Sequence, residues 1–210
     1  MIADGTLTAL AGGVGLLERA LGYTLGGLAL VTPTAMANRT PCAGWDLRAL
    51  LRHMNDSLLT MHEAITAGHL TMDPLPAAED PAGDCGDPEA DPVGVLRNRG
   101  CRMLGAWVNS PRLERIAIED KWLAPMVVAA AGAVEVAVHG WDVAAACGQD
   151  RPIPSPLADE LLELGPLLVR PGDRPGRFDP PIEVPTTSPA GDRLVAFLGR
   201  DPRTARRLRA

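Results

Sequence analysis

From Pro125 to Asp142 the chain reads Pro-Met-Val-Val-Ala-Ala-Ala-Gly-Ala-Val-Glu-Val-Ala-Val-His-Gly-Trp-Asp, apolar or small until Glu135, His139 and Asp142 appear. At about 100° per residue in an α-helix, His139 lies about 40° from Glu135, and Asp142 about 20° to the other side. The three polar side chains therefore share one narrow face of a helix that is otherwise apolar all round. Such a helix is a core element. A buried carboxylate and imidazole are costly unless something pairs with them: each other, a buried cation or a metal ion. Ala131, Gly132 and Ala146, nearby on that face, are small and leave room for a ligand.

The rest of the chain supplies partners for that helix. Leu7 to Val31 is rich in Leu and Ala at helical spacing, which predicts a first core helix ended by Thr32-Pro-Thr. Thr40-Pro-Cys-Ala-Gly-Trp-Asp46 is turn-rich and closes on Asp46, a good N-cap. The helix it starts, Asp46 to about Ala67, carries the apolar stripe Leu47, Leu50, Leu51, Met54, Leu58, Met61 and Ile65. His69 to Pro92 has no apolar period and reads as a long acidic loop, with Cys85 exposed in it. A third helix is expected from Pro92 to Asn109, a short strand or connector at Leu113–Glu119, and a fourth helix from Leu123 to Ala146 with Gly148 at its C-cap. Beyond it, Pro156–Val169 and Asp192–Gly199 read as helices around an extended, proline-rich Phe178–Pro185. The expected fold is mostly all-α, a four-helix bundle over residues 1–148 with a small C-terminal extension, 149–210, packed on it.

Composition narrows the function classes. A formal net charge of -6 argues against a nucleic-acid backbone as the main partner. The Arg-rich end Arg203–Arg209 is too short to reverse that and reads as a solvated helix end. The four cysteines, Cys42, Cys85, Cys101 and Cys147, form no Cys-x-x-Cys pair, so neither a disulfide framework nor a zinc ribbon is indicated. There is no basic leader of the secretory kind, and no uncharged apolar run reaches the ~18 residues of a bilayer span, so a cytoplasmic location without membrane contact is the default.

Glu135 and His139, four apart on one helix, suit two ligands of one ion. A catalytic zinc takes a third protein ligand, which here must come from a facing helix. His53, His62 and His69 are the remaining histidines. His69 follows the helix end and reads as solvated. His62 sits late in its helix beside Glu63. His53, at the edge of the core stripe near a helix start, is the best choice. On spacing alone a Glu135–His139 pair that merely fixes helix packing remains the alternative. Asp142 either orients His139 or pairs with an arginine elsewhere. Cys42 reads as a structural thiol more readily than a reactive one, and Trp45 and Trp141 as packing residues. P-loop, Gly-x-Gly-x-x-Gly, Gly-x-Ser-x-Gly and His-Glu-x-x-His signatures are absent, which leaves Lewis-acid work on a thiol or carbonyl as the suitable chemistry.

The segment Thr40-Pro-Cys-Ala-Gly-Trp-Asp-Leu-Arg-Ala-Leu-Leu-Arg-His53 resembles the opening motif of the mycothiol-dependent maleylpyruvate isomerase family. Glu135-Val-Ala-Val-His-Gly-Trp-Asp-Val-Ala144 resembles its second motif. Phe178–Pro185 and Asp192–Pro202 are similar to the short tail of its actinobacterial branch. The resemblance implies a DinB-like metal-binding four-helix bundle, with His53, Glu135 and His139 as ligands of zinc or another divalent metal. It also implies mycothiol as a thiol cofactor whose sulfur takes the open metal position as thiolate. In the isomerase that thiolate adds to a conjugated double bond, allows rotation and leaves; in related thiol transferases the addition or displacement product is released. The isomerase carries a larger C-terminal domain than the short tail here, so the small electrophilic substrate is left open by the resemblance. Other readings of the same bundle are a metal-dependent cyclisation or hydrolysis in specialised metabolism and a non-catalytic metal-binding stress protein. A monomer or a homodimer is expected.

Overall fold

The computed structural model describes residues 2–70, 85–110, 113–175 and 177–204. Among these the fold is mostly α, with six helices and one small sheet, the DinB-like class implied by the resemblance. The helices are α1 (Ile2–Gly27), α2 (Leu47–Ala67), α3 (Pro92–Asn109), α4 (Pro125–Ala146), α5 (Ser155–Leu168) and α6 (Ala190–Phe197). Most of the expected acidic loop, and the end of the Arg-rich tail, lie outside the described residues.

The chain divides into two compact units, residues 1–18 with 51–132 and residues 19–50 with 133–210. In the first unit the stripe of α2 is buried from Leu51 to Ile65, as is the α3 face of Val95, Leu96, Met103 and Trp107. Each such side chain contributes about 1.5–3 kcal/mol by leaving water. Asn55, fully buried on α2, locks the two helices by donating from Nδ2 to the Pro92 carbonyl at 2.9 Å. α3 opens with Pro92 in its first turn and Asp91 accepting from the Gly94 N–H at 2.9 Å, so its start is capped as well as pre-shaped.

Two local expectations change in this unit. Cys85 is buried, not exposed, and accepts from Arg102 Nη1 at 3.8 Å. The fourth helix begins at Pro125 rather than Leu123, because the preceding residues form a hairpin. Strand β2 (Ile116–Ile118) pairs antiparallel with β3 (Lys121–Leu123) around Glu119, whose φ is 52°, and β1 (His69–Leu70) adds parallel to β2. Three-residue strands with one buried side chain on β2 leave too short an alternation to be read from sequence. His69 is exposed on β1, as expected of a solvated residue.

The second unit holds the end of α1, the first turn of α2, most of α4, and α5 and α6. α1 and α4 meet closely: Thr24 Oγ1 donates to the Val136 carbonyl at 2.7 Å, and a Cβ at Gly140 would collide with the Thr24 side chain. α4 is long and apolar enough, by length and composition, to cross a bilayer; it is largely buried inside the protein, as a core helix is. It ends as expected. Gly148, with φ 70°, and Gln149 return their N–H groups to the Ala145 and Ala144 carbonyls, both at 2.9 Å. The C-terminal segment is anchored in the same unit: Arg151 Nη1 donates to the Tyr23 carbonyl, and the Tyr23 hydroxyl donates to the Arg151 carbonyl, each at 2.6 Å.

Candidate metal centre

α4 delivers Glu135, His139 and Asp142 to one face, as their spacing predicts. Glu135 Oε1 lies 3.3 Å from His139 Nε2, and Asp142 Oδ2 lies 2.9 Å from His139 Nδ1. The imidazole is thus held between two carboxylates, one on each ring nitrogen. Glu135 is a third exposed, His139 is nearly covered and Asp142 is completely covered. The environment deepens inward from Glu135 to Asp142.

The turn before α2 frames this histidine. Within Thr40–Asp46 the Trp45 N–H donates to the Cys42 carbonyl and the Thr40 N–H to the Trp45 carbonyl, both at 3.1 Å, and Arg39 and Asp46 form a bridge across its base. Gly44, at φ 81°, makes the left-handed step that lets the loop close. Asp46 Oδ1 then caps α2 by accepting from the Ala49 N–H at 2.8 Å. This geometry points Cys42 and Trp45 at the same ring. Trp45 stacks on His139 with centroids 6.4 Å apart and planes 27° apart, and it stays 37% exposed, so it forms the rim. Cys42 donates its S–H to Asp142 Oδ2 at 3.1 Å. Trp141, by contrast, is a buried packing residue.

Asp142 carries both roles that its position suggested. It orients His139, and it pairs with an arginine: Arg200 Nη2 reaches Oδ2 at 3.0 Å. Burial alone would raise the Asp142 pKa, but the Arg200 charge and the His139 hydrogen bond outweigh it and hold the carboxyl below its ordinary value. His139 shows the opposite balance. Burial disfavours its charged form, yet Glu135 and Asp142 together raise its pKa well above the ordinary 6.5. Arg200 was not legible in the sequence, since it is one of twenty basic residues and lies 58 positions from Asp142.

Cys42, His139 and Asp142 also bring one ligand atom each within 4.8 Å of one another. A cation among them would face the Arg200 guanidinium, and Asp142 Oδ2 is already engaged by three residues, Cys42, His139 and Arg200. The other side of the ring suits a metal better. There Nε2 meets Glu135, while Nδ1 is held by a buried carboxylate, the arrangement typical of a metal-ligating histidine. The nitrogen–oxygen donor set fits zinc or a similar divalent ion. The room expected beside this face is smaller than the sequence suggests. Met61 occupies the space that a Gly132 side chain would take, so that glycine serves helix packing.

His53 lies on α2, half-buried, with Nε2 3.5 Å from Ser57 Oγ. It follows Leu50, the last α2 residue of the second unit, by three positions. His62 is half-buried one turn before the end of α2.

Residues 17–144 match the model of the mycothiol maleylpyruvate isomerase N-terminal domain family, more than half of the chain. The chain belongs to this family. The mycothiol maleylpyruvate isomerase N-terminal domain family is metal-binding and thiol-related, and the paired motifs at Thr40–His53 and Glu135–Ala144 both fall inside the matched residues. Two curated relatives are similar, the uncharacterized proteins MT0763 and Rv0738 of Mycobacterium tuberculosis, each 42% identical over 71 residues. That stretch is 33% of this chain and 39% of either relative, so the chain spans well under half the length of the curated relatives it matches. No solved structure matches the chain.

Proposed function

We propose that the protein is a metal-dependent enzyme that uses a low-molecular-weight thiol, mycothiol in the first instance, to isomerise a small electrophile or to join the thiol to it through sulfur. His53, Glu135 and His139 are the proposed ligands, with zinc the first choice of metal. The observation that carries this reading is His139, whose Nδ1 is fixed by a buried carboxylate while Nε2 faces Glu135. His53 is supported by its place on α2, about two turns past Asp46 at the end of the loop that frames His139, and by its position at the end of the segment Thr40–His53, which resembles the family's opening motif and lies within the matched residues.

When bound, the metal would supply a Lewis acid able to hold a thiol in its thiolate form near neutral pH. The chain's own groups do the rest. Asp142 fixes the imidazole so that Nε2 is presented as a ligand. Trp45 covers one face of His139 and shields it from water on the rim. Glu135, the most exposed of the three polar residues on α4, faces the side from which a thiol and a substrate would enter.

The deciding experiment is the metal content of the purified protein beside a His139→Ala variant, followed by an assay of electrophile consumption with and without the thiol. About one metal ion per chain, lost in the variant, together with thiol-dependent turnover, is the expected result. Metal that is retained in His139→Ala, or absent from the wild type after zinc is added back, overturns the site. Turnover that ignores the thiol would favour a hydrolysis or cyclisation on the same metal instead.

A further inference from the structure

Arg200 reaches the buried side of the proposed centre from outside the residues that match the family model, 56 positions beyond the end of the match at residue 144. Its backbone is fixed by the end of α6. Gly199 takes φ 86°, its N–H returns to the Ala196 carbonyl at 3.0 Å, and the Arg200 N–H returns to the Val195 carbonyl at 2.9 Å, a Schellman closure. Only glycine suits position 199. Besides the positive φ, a Cβ there would lie 2.7 Å from the Asp179 carbonyl oxygen.

All three guanidinium nitrogens are used. Nη1 donates to the Leu198 carbonyl at 3.1 Å, which holds the group to its own helix end. Nη2 donates to Asp142 Oδ2 at 3.0 Å and lies 3.4 Å from Cys42 Sγ; Nε lies 3.4 Å from both Asp142 oxygens. The guanidinium therefore grips the carboxylate that grips His139 Nδ1. Glu135 meets the opposite nitrogen of the ring, Nε2, so the route from Arg200 to the metal side runs through Asp142 and the imidazole.

We propose that Arg200 is a positioning residue of the metal centre, acting through Asp142 to hold the His139 ring with Nε2 turned to Glu135. The proposal rests on the metal-site reading given above. The C-terminal segment then carries the cation that completes a site whose other parts lie in the matched domain. With Arg200 gone, Asp142 keeps two weaker donors and can turn away from the imidazole. Lysine is a poor replacement, because a single ammonium cannot bond the Leu198 carbonyl and the carboxylate edge in the same fixed plane.

The test measures zinc affinity by chelator competition, and the visible spectrum of the cobalt-loaded protein, for the wild type, Arg200→Met, Arg200→Gln, Asp142→Asn and the Arg200→Met/Asp142→Asn pair. Arg200→Met is expected to weaken zinc binding about 10–100-fold and to alter the cobalt spectrum. In the Asp142→Asn background the same change should add little, because its route to the ring is already cut. Wild-type affinity and spectrum in Arg200→Met, or a full and independent loss on top of Asp142→Asn, overturns the proposal while leaving the metal site intact. Failure of the wild type itself to bind zinc or cobalt overturns the metal reading, and this inference with it. Should Arg200→Met fail to fold by circular dichroism, Arg200→Gln decides on the same two readouts.

Discussion

At Tyr23, which is paired with Arg151, burial is the largest influence on the titration of the phenol, and the Asp142 charge adds a smaller contribution in the same direction. Burial raises its pKa from 10.0, and the nearby Arg151 charge offsets only part of that rise. A group whose folded pKa is raised gives stability that is fully present below the unfolded value and is lost as pH climbs through the folded one. The protein should therefore lose thermal stability as pH rises above about 10, and Tyr23→Phe should flatten that loss while lowering stability at neutral pH, where the hydroxyl's bond to the Arg151 carbonyl disappears. Equal alkaline sensitivity in both proteins would show that the buried phenol is not responsible. At the centre itself, Asp142→Asn keeps the shape of the side chain but removes its charge, and should weaken zinc binding about 10–100-fold as measured by chelator competition.

α4 makes two close approaches through glycine, and they differ in kind. At Gly140 an added methyl would meet the Thr24 backbone Cα at 3.1 Å and the Thr24 side chain, which is tied to the Val136 carbonyl and cannot swing away. At Gly132 the obstacle is the Met61 sulfur, part of a flexible chain. Gly140→Ala should cost about 1–3 kcal/mol in urea unfolding. Gly132→Ala should cost much less, because Met61 can move and alanine favours the helix by about 1 kcal/mol over glycine. Similar losses at both positions would contradict this account of the packing. α6 is short and depends on its ends: its last turn closes through Gly199, and the Ile182 N–H of the extended segment before it bonds the Ala196 carbonyl at 2.9 Å.

Residues 149–210 were expected to form a small extension packed on the bundle, and several of their side chains are buried in one compact unit. Ile153, Leu157, Leu161, Leu194, Val195 and Leu198 are all buried, and Arg19 forms a two-pronged ion pair with Glu160 at 2.6–2.7 Å. We predict that a chain ended at residue 148 exposes apolar surface, read as dye binding and a lower helical signal, and loses metal affinity along with Arg200. A truncated protein with an unchanged melting curve and unchanged zinc affinity would show that the segment is dispensable for both.

The sequence determined which stretches are helices, because apolar spacing and cap residues are local. Asp46, Asp91 and Gly148 sit where their chemistry places helix ends, and the spacing of Glu135, His139 and Asp142 sets a shared face whatever the helix packs against. It also carried the family in two short motifs. The hairpin at Ile116–Leu123 and the burial of Cys85 escaped it, since three-residue strands give no period and a lone cysteine gives no direction. Only the tertiary structure decided which arginine meets Asp142, how far Met61 fills the space beside Gly132, and that Cys42 and Trp45 converge on one imidazole. Those contacts join positions many tens of residues apart, where no helical period operates, and they are fixed by packing and charge only once the chain has folded.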